Sequence, residues 1–279
     1  MKIAFFGTPD FTVRFLDHLV DHGLTPHTII TGMDVPVGRK LQLTSPLPKT
    51  WADEHDVTCY QPQKLDDDFI EKLAQENYDL FIVIAYGKIL PEKLITLPTY
   101  GTINVHYSLL PKYRGATPVE SAILNGDKTT GVCIQKMVYE LDAGDIITSK
   151  EITIEDTDTA HTLRDKMNTQ ALEMCLESIE LLKQKDSIFT SQDETQKTIC
   201  KKIKKQDGLI TLDEDPATLD RKYRAYDGWP GIYFFDTKND KTIRVKIERA
   251  HYQKNTFIVE RVIPEGRKSM TWQEYQNWN

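Results

Sequence analysis

Lys2-Ile3-Ala4-Phe5-Phe6-Gly7-Thr8-Pro9-Asp10 decides the fold. Residues 2–6 read as a short, fully buried strand, because apolar side chains follow one another without polar alternation and stop at a glycine. Thr8, Pro9 and Asp10 then offer an N-cap, a proline at the first helical position and an early acid. Phe11, Phe15, Leu16, Leu19 and Val20 follow at helical spacing, which predicts a helix packed on the sheet. Further strands are expected over residues 27–31, 80–85 and 102–105, with a helix near residues 66–76. Strand and helix signals in alternation predict a parallel-rich open sheet covered by helices, the Rossmann-like α/β arrangement.

Two more strands, residues 131–137 and 146–154, flank the polar loop of residues 140–145. A long helix follows, capped by Thr157 or Thr159, with Leu163, Met167, Ala171, Cys175, Ile179 and Leu182 as a core-facing stripe. Residues 185–205 are polar and lysine-rich without an apolar period. Residues 216–226 look helical, and residues 231–235, 242–247 and 256–262 are short strands divided by Asn, Asp, Gly and Pro. The expected domain organisation is therefore an α/β catalytic domain over residues 1–190, a basic linker over residues 191–205, and a small C-terminal β-barrel (OB-like) domain over residues 206–279.

Composition narrows the classes. Of 279 residues, 39% are hydrophobic and 28% charged, which is globular and excludes a disordered chain. The longest apolar runs, such as residues 80–85, fall far short of the ~20 residues that a membrane-spanning helix needs. The first strand runs into a polar turn without an h-region or cleavage site, so no secretory leader is expected. Cys59, Cys133, Cys175 and Cys200 form no CxxC pair, which argues against a disulfide or zinc site and for a reducing cytoplasm. The formal net charge is −7, yet two stretches lack any acid: residues 35–49 with Arg39, Lys40 and Lys49, and residues 197–205 with Lys197, Lys201, Lys202, Lys204 and Lys205. Such patches can hold a phosphate backbone or can be solvated loop and helix faces.

The first β-turn-α unit carries Gly7-Thr8-Pro9 in place of GxGxxG, which argues against a nicotinamide or flavin dinucleotide. Asn104 and His106 lie two apart at a strand end, so their side chains emerge on one face. Together they can donate hydrogen bonds to a developing oxyanion; alone, the pair reads better as a capping Asn and a satisfied structural His.

Asn104-x-His106-x-Ser108-Leu109-Leu110-Pro111, followed by Leu141-Asp142-x-Gly144, resembles the 10-formyltetrahydrofolate-dependent formyltransferases. The resemblance extends to Phe6-Gly7-Thr8-Pro9-Asp10-Phe11, Ala85-Tyr86-Gly87, Arg114-Gly115, Lys204-Lys205-Gln206-Asp207-Gly208 and Trp229-Pro230-Gly231, and so covers most of the chain. It implies Asn104, His106 and Asp142 as the catalytic trio, with Asn104 and a protonated His106 holding the oxyanion and Asp142 orienting His106 or relaying a proton. It implies Ser108, Leu109, Leu110, Pro111, Ala85, Tyr86 and Gly87 around 10-formyltetrahydrofolate, the co-substrate, with no metal. Tyr86 also reads as core, and so does Phe11, otherwise a candidate for receiving a substrate side chain.

The loop of residues 36–49 is similar to that of the family branch acting on initiator methionyl-tRNA. That likeness implies RNA contacts by Arg39, Lys40, Lys49, Lys201, Lys202, Lys204 and Lys205 in a cytoplasmic, monomeric enzyme with no membrane partner. Three features depart from the pattern: Tyr107 where a small residue is usual, Thr211 in place of a tryptophan, and a shorter basic loop. Rival readings are a sugar-nucleotide N-formyltransferase, a glycinamide ribonucleotide formyltransferase, a formyltetrahydrofolate hydrolase and an RNA-binding paralogue without catalysis.

Overall fold

The structure is a computed structural model that describes residues 1–38, 41–184, 187–238 and 240–278. In chain order its elements are β1 (Ile3–Gly7), α1 (Val13–Asp21), β2 (Thr28–Ile30), β3 (Val35–Val37), β4 (Gln42–Thr44), α2 (Leu47–Glu54), β5 (Thr58–Tyr60), α3 (Asp67–Ala74), β6 (Leu80–Ile84), α4 (Glu92–Ile95), β7 (Thr102–His106) and β8 (Arg114–Gly115). There follow α5 (Pro118–Asn125), β9 (Thr129–Lys136), β10 (Ile146–Thr153), α6 (Ala160–Lys183), β11 (Ile199–Cys200), α7 (Pro216–Ala225), β12 (Tyr233–Lys238), β13 (Lys241–Gln253), β14 (Thr256–Pro264), β15 (Met270–Thr271) and α8 (Trp272–Gln276).

β1 is buried at every position, as an unbroken apolar run requires of a strand covered on both faces. It sits inside a seven-stranded sheet of order β10-β9-β7-β6-β1-β2-β5. β5, β2, β1, β6 and β7 are parallel, and β9 runs antiparallel to β7. The chain winds outward from β1 to β2 and β5, then returns to the other side of β1 through β6 and β7. The strand order therefore reverses at β1 and β6, the position at whose carboxyl-end side open α/β sheets gather their ligands.

On one face of the sheet Ala4, Phe6, Ile30, Phe81 and Val83 pack with Ile70 and Leu73 of α3 and Leu94 and Ile95 of α4. Phe6 and Phe81 meet with ring centroids 5.1 Å apart. Each of the larger side chains in this cluster contributes roughly 1.5–3 kcal/mol by leaving water.

The start of the first helix differs from the sequence expectation. Thr8 does not cap it: its hydroxyl donates to the Tyr86 carbonyl at 3.1 Å and accepts from the Gly32 amide at 3.1 Å. The side chain thus ties together the turns that follow β1, β2 and β6. Pro9 precedes a single 3₁₀ turn, Asp10–Thr12, and α1 begins only at Val13. The long helix follows expectation, with Thr159, of the two candidates, accepting from the Thr162 amide at 3.3 Å. Leu163, Met167, Ala171, Cys175 and Ile179 are buried along one stripe of α6.

Two compact units divide the chain. One comprises Met1–Arg114, Gly131–Glu151 and Met167–Thr198; the other comprises Gly115–Thr130, Ile152–Lys166 and Ile199–Asn279. The residues expected as a linker, 191–205, divide between them and include a 3₁₀ turn, Glu194–Gln196, and strand β11. Within the second unit α5 packs against α7, and Asp215 caps α7 by accepting from the Thr218 amide at 2.9 Å. Its sheet is four-stranded and antiparallel, β12-β13-β14-β15, where sequence suggested a small barrel. An isolated parallel bridge, Leu209 to Tyr233, lies beside β12.

Candidate active site

Asn104 and His106 are the third and last residues of β7. Period two aims both to one side, and Asn104 pairs in register with Gln135 on β9. The loop between β9 and β10 brings back Asp142, whose φ of +49° is a left-handed conformation uncommon for a residue with a Cβ.

Three side chains converge on the Asp142 carboxylate. Gln135 donates to Oδ1 at 2.9 Å, Asn104 donates to the same oxygen at 3.4 Å, and His106 Nδ1 lies 3.6 Å from Oδ2. The side chains of His106 and Asp142 are only 5% and 11% exposed, so this pairing is sheltered from solvent screening. The other ring nitrogen, His106 Nε2, donates to the Tyr113 carbonyl at 2.9 Å. A carbonyl can only accept, so that contact requires a hydrogen on Nε2.

Both His106 nitrogens thus face groups of the protein, the Tyr113 carbonyl and the Asp142 carboxylate. Asn104, half-buried, is the member of the trio whose amide has surface to offer a ligand.

Residues 108–111 form a tight turn. Ser108 is fully buried, and its hydroxyl donates to the Lys112 carbonyl at 2.5 Å. The Leu110 amide donates to Cys133 Sγ at 3.4 Å, while Leu109 and Pro111 stay half-exposed. Beyond β6, Ala85 (φ +48°) and Gly87 (φ +84°) lie exposed at the strand end. Tyr86 between them does not line a pocket with its ring. The ring is 4% exposed, meets Phe6 edge-on at 5.4 Å, and burial pushes its phenol up to about 12. The core alternative for Tyr86 is the one observed, because a buried position beside Phe6 excludes the ring from the surface.

Tyr107 points away from the trio. It donates to Asn168 Oδ1 of α6 at 2.7 Å and packs edge-on against Phe11. Asn168 is fully buried. Tyr107→Phe should therefore lower stability by about 1–3 kcal/mol, by leaving that amide oxygen unpaired. Chemical denaturation would read the loss; a variant as stable as the parent would show the bond to be dispensable.

The basic residues fare differently. Arg39 and Lys40 lie outside the described residues. Lys49 is bound by Asp53 one turn further along α2, chiefly through hydrogen bonding that raises its ammonium pKa, so its charge is already paired. Lys201, Lys202, Lys204 and Lys205 are exposed and enter no ion pair among the described residues. In the stretch that leads into α2, Val35 stands opposite Thr44 in the hairpin β3-β4, and Met33, Val35, Leu41, Leu43 and Leu47 are exposed.

Residues 1–179 match the family described as formyl transferase, and residues 202–260 match the formyl transferase C-terminal domain. A methionyl-tRNA formyltransferase of Thermotoga maritima is 39% identical over 236 residues, 84% of this chain and 75% of that protein. The chain belongs to the methionyl-tRNA formyltransferase family. Among solved structures, a methionyl-tRNA formyltransferase from Clostridium thermocellum shares the formyltransferase fold with a TM-score of 0.64 at 17% identity, covering 95% of this chain and 98% of that one. HypX from Aquifex aeolicus, solved in complex with tetrahydrofolic acid, aligns with a TM-score of 0.63 at 17% identity. That alignment covers 99% of this formyltransferase chain, which spans about half, 46%, of HypX.

Sequence reasoning missed Gln135, Tyr113 and Gln192. Gln135 lies one residue beyond the apolar run of β9 and could have been placed opposite Asn104 by pairing. Nothing local marks Gln192, which sits in a polar stretch far along the chain from Asp142. Among the described residues no helix is long and apolar enough to cross a membrane.

Proposed function

We propose that this chain transfers the formyl group of 10-formyltetrahydrofolate to the α-amine of methionyl-tRNA, giving formylmethionyl-tRNA for translation initiation. The observation that carries the reading is the convergence of Asn104, His106 and Gln135 on one sheltered carboxylate, Asp142, at the carboxyl end of β7. The relatives in that family give the acceptor. A cytoplasmic location and a monomeric enzyme belong to the same reading.

In the reaction the amine nitrogen bonds to the formyl carbon while the carbonyl π pair moves onto oxygen. Asn104 donates to that oxygen as charge develops. Asp142 takes the proton that the attacking nitrogen loses and returns it, directly or through water, to N10 as the C–N10 bond breaks. His106, fixed between the Tyr113 carbonyl and Asp142, keeps the carboxylate aimed. For His106 to reach the oxyanion itself, the ring would have to release Tyr113.

The exposed main chain at Ala85 and Gly87 and the half-exposed Leu109 and Pro111 offer polar and apolar surface suited to the pterin, while Ser108 fixes the turn. The exposed lysines at 201, 202, 204 and 205, which enter no ion pair among the described residues, would meet RNA phosphates, with residues 206–279 as the RNA-facing C-terminal part.

Incubating the protein with 10-formyltetrahydrofolate and methionyl-tRNA should place the formyl group on the aminoacyl end. Formyl arriving instead on an amino-sugar nucleotide, or released as formate, would replace this reading by one of its rivals. Reversing Lys201 and Lys202 to Glu should weaken tRNA binding and flatten its salt dependence by about one unit of slope per lost phosphate contact. An unchanged slope would remove these lysines from the RNA site.

A further inference from the structure

Asp142 owes its place to more than the trio. Its left-handed backbone is held from below by Gln192, whose amide donates to the Asp142 carbonyl at 2.8 Å and to the Gly144 carbonyl at 2.7 Å. The amide oxygen of Gln192 accepts from Arg114 Nε at 2.9 Å and from Nη2 at 2.7 Å. Both ends of the Gln192 side chain are therefore engaged, which fixes its orientation.

Arg114 is fully buried, and a buried guanidinium needs carboxylate partners to remain charged there. Glu194 supplies one, with Oε1 2.5 Å from Nη2 and Oε2 3.3 Å from Nη1. Glu140, two residues before Asp142, adds a second at 3.8 Å. Hydrogen bonds from Arg114 first, then from Lys197, hold the Glu194 carboxyl below the usual carboxylate range. The backbone of Arg114 is anchored in turn, its amide donating to the Thr198 carbonyl at 2.9 Å.

We propose that Gln192, backed by Arg114, is a positioning residue for formyl transfer: it clamps the backbone of residues 142–144 so that the Asp142 carboxylate meets Asn104 and His106. This rests on the reading of Asp142 as the proton-handling group. The Gln192 amide nitrogen binds the backbone carbonyls of residues 142 and 144, and so acts through the loop. The strain at Asp142 explains why a clamp is needed, since a disfavoured φ persists only where surrounding contacts over-determine it.

The test uses Gln192→Glu and Gln192→Met, alone and combined with Asp142→Ala. Gln192→Glu keeps an acceptor for Arg114 but loses the two donors to the loop, and so separates the clamp from the buried ion network. Gln192→Met removes both ends of the amide at similar volume. With 10-formyltetrahydrofolate and methionyl-tRNA as substrates, kcat should fall on the order of 10- to 100-fold in both, a size expected from a small misplacement of a reacting group. KM for each substrate should stay near that of the parent.

In the Asp142→Ala background neither change should cost further rate, because a residue acting only through Asp142 has nothing left to position. Parent-like kcat in both single variants would overturn the proposal, and so would losses that multiply with that of Asp142→Ala. Parent-like turnover of Asp142→Ala alone would overturn the reading of the site itself, and is seen without reference to Gln192.

Discussion

Asn104→Ala should lower kcat for formyl transfer by roughly 10²–10³, the usual consequence of deleting one preorganised oxyanion donor. The expectation rests on which donors the site has free. His106 faces Tyr113 on one side and Asp142 on the other, and Gln135, whose amide donates to Asp142, is buried. Asn104 reaches the same carboxylate only at 3.4 Å and keeps a second N–H. The fold should survive, because Asp142 retains Gln135 and His106 when Asn104 is truncated. Turnover measured with saturating co-substrate, beside a folate-binding titration, separates the two possibilities. Folate binding kept with turnover lost places the amide at the transition state. Turnover within a few-fold of the parent would mean that Asn104 only supports Asp142 and that the oxyanion is held by another group.

The parts of this fold and site that could be read from sequence were those set by local rules. β1 and β6 announce themselves as apolar runs bounded by turns, and the α6 stripe by its period. Asn104 and His106 were placed on one face by the pleat alone. The resemblance of the Asn-x-His and Leu-Asp-x-Gly segments to formyltransferases then joined two stretches that no local rule could bring together.

What escaped was decided by tertiary competition. Thr8 has the look of a helix cap, but three strand ends needed a shared hydrogen-bonding group and took it. Tyr86 sits in a surface-lining motif, yet its ring fills a place beside Phe6. Lys49 looks like part of a basic loop until α2 forms and places Asp53 one turn away. Short elements such as the β3-β4 hairpin and β15 carry too few residues for any period to register. Gln192 is the extreme case: a glutamine in a polar tract whose partners, Asp142 and Arg114, are set only by the finished fold.

Gly144→Ala should be nearly as damaging to catalysis as loss of Asn104, although residue 144 has no side chain to lose. A methyl group on this residue would overlap the Lys136 carbonyl oxygen, and the obstacle is backbone on the neighbouring strand, which cannot rotate away. That strand segment is itself held, because the Lys136 amide donates to the Asp145 carbonyl at 2.9 Å. The loop must move instead, and Asp142 moves with it, away from Asn104 and His106 and off the Gln192 amide that binds the Gly144 carbonyl. A displacement of about 1 Å at a reacting group can cost on the order of 10²-fold in rate, and we expect a kcat loss of that size. Overpacking should also lower stability by about 1–3 kcal/mol. Thermal unfolding followed beside turnover distinguishes the two effects. A folded variant with kcat reduced a hundredfold ties the rate to the position of the loop, whereas a folded variant with parent-like kcat would show that Asp142 tolerates displacement and that its carboxylate does not depend on the clamp beneath it.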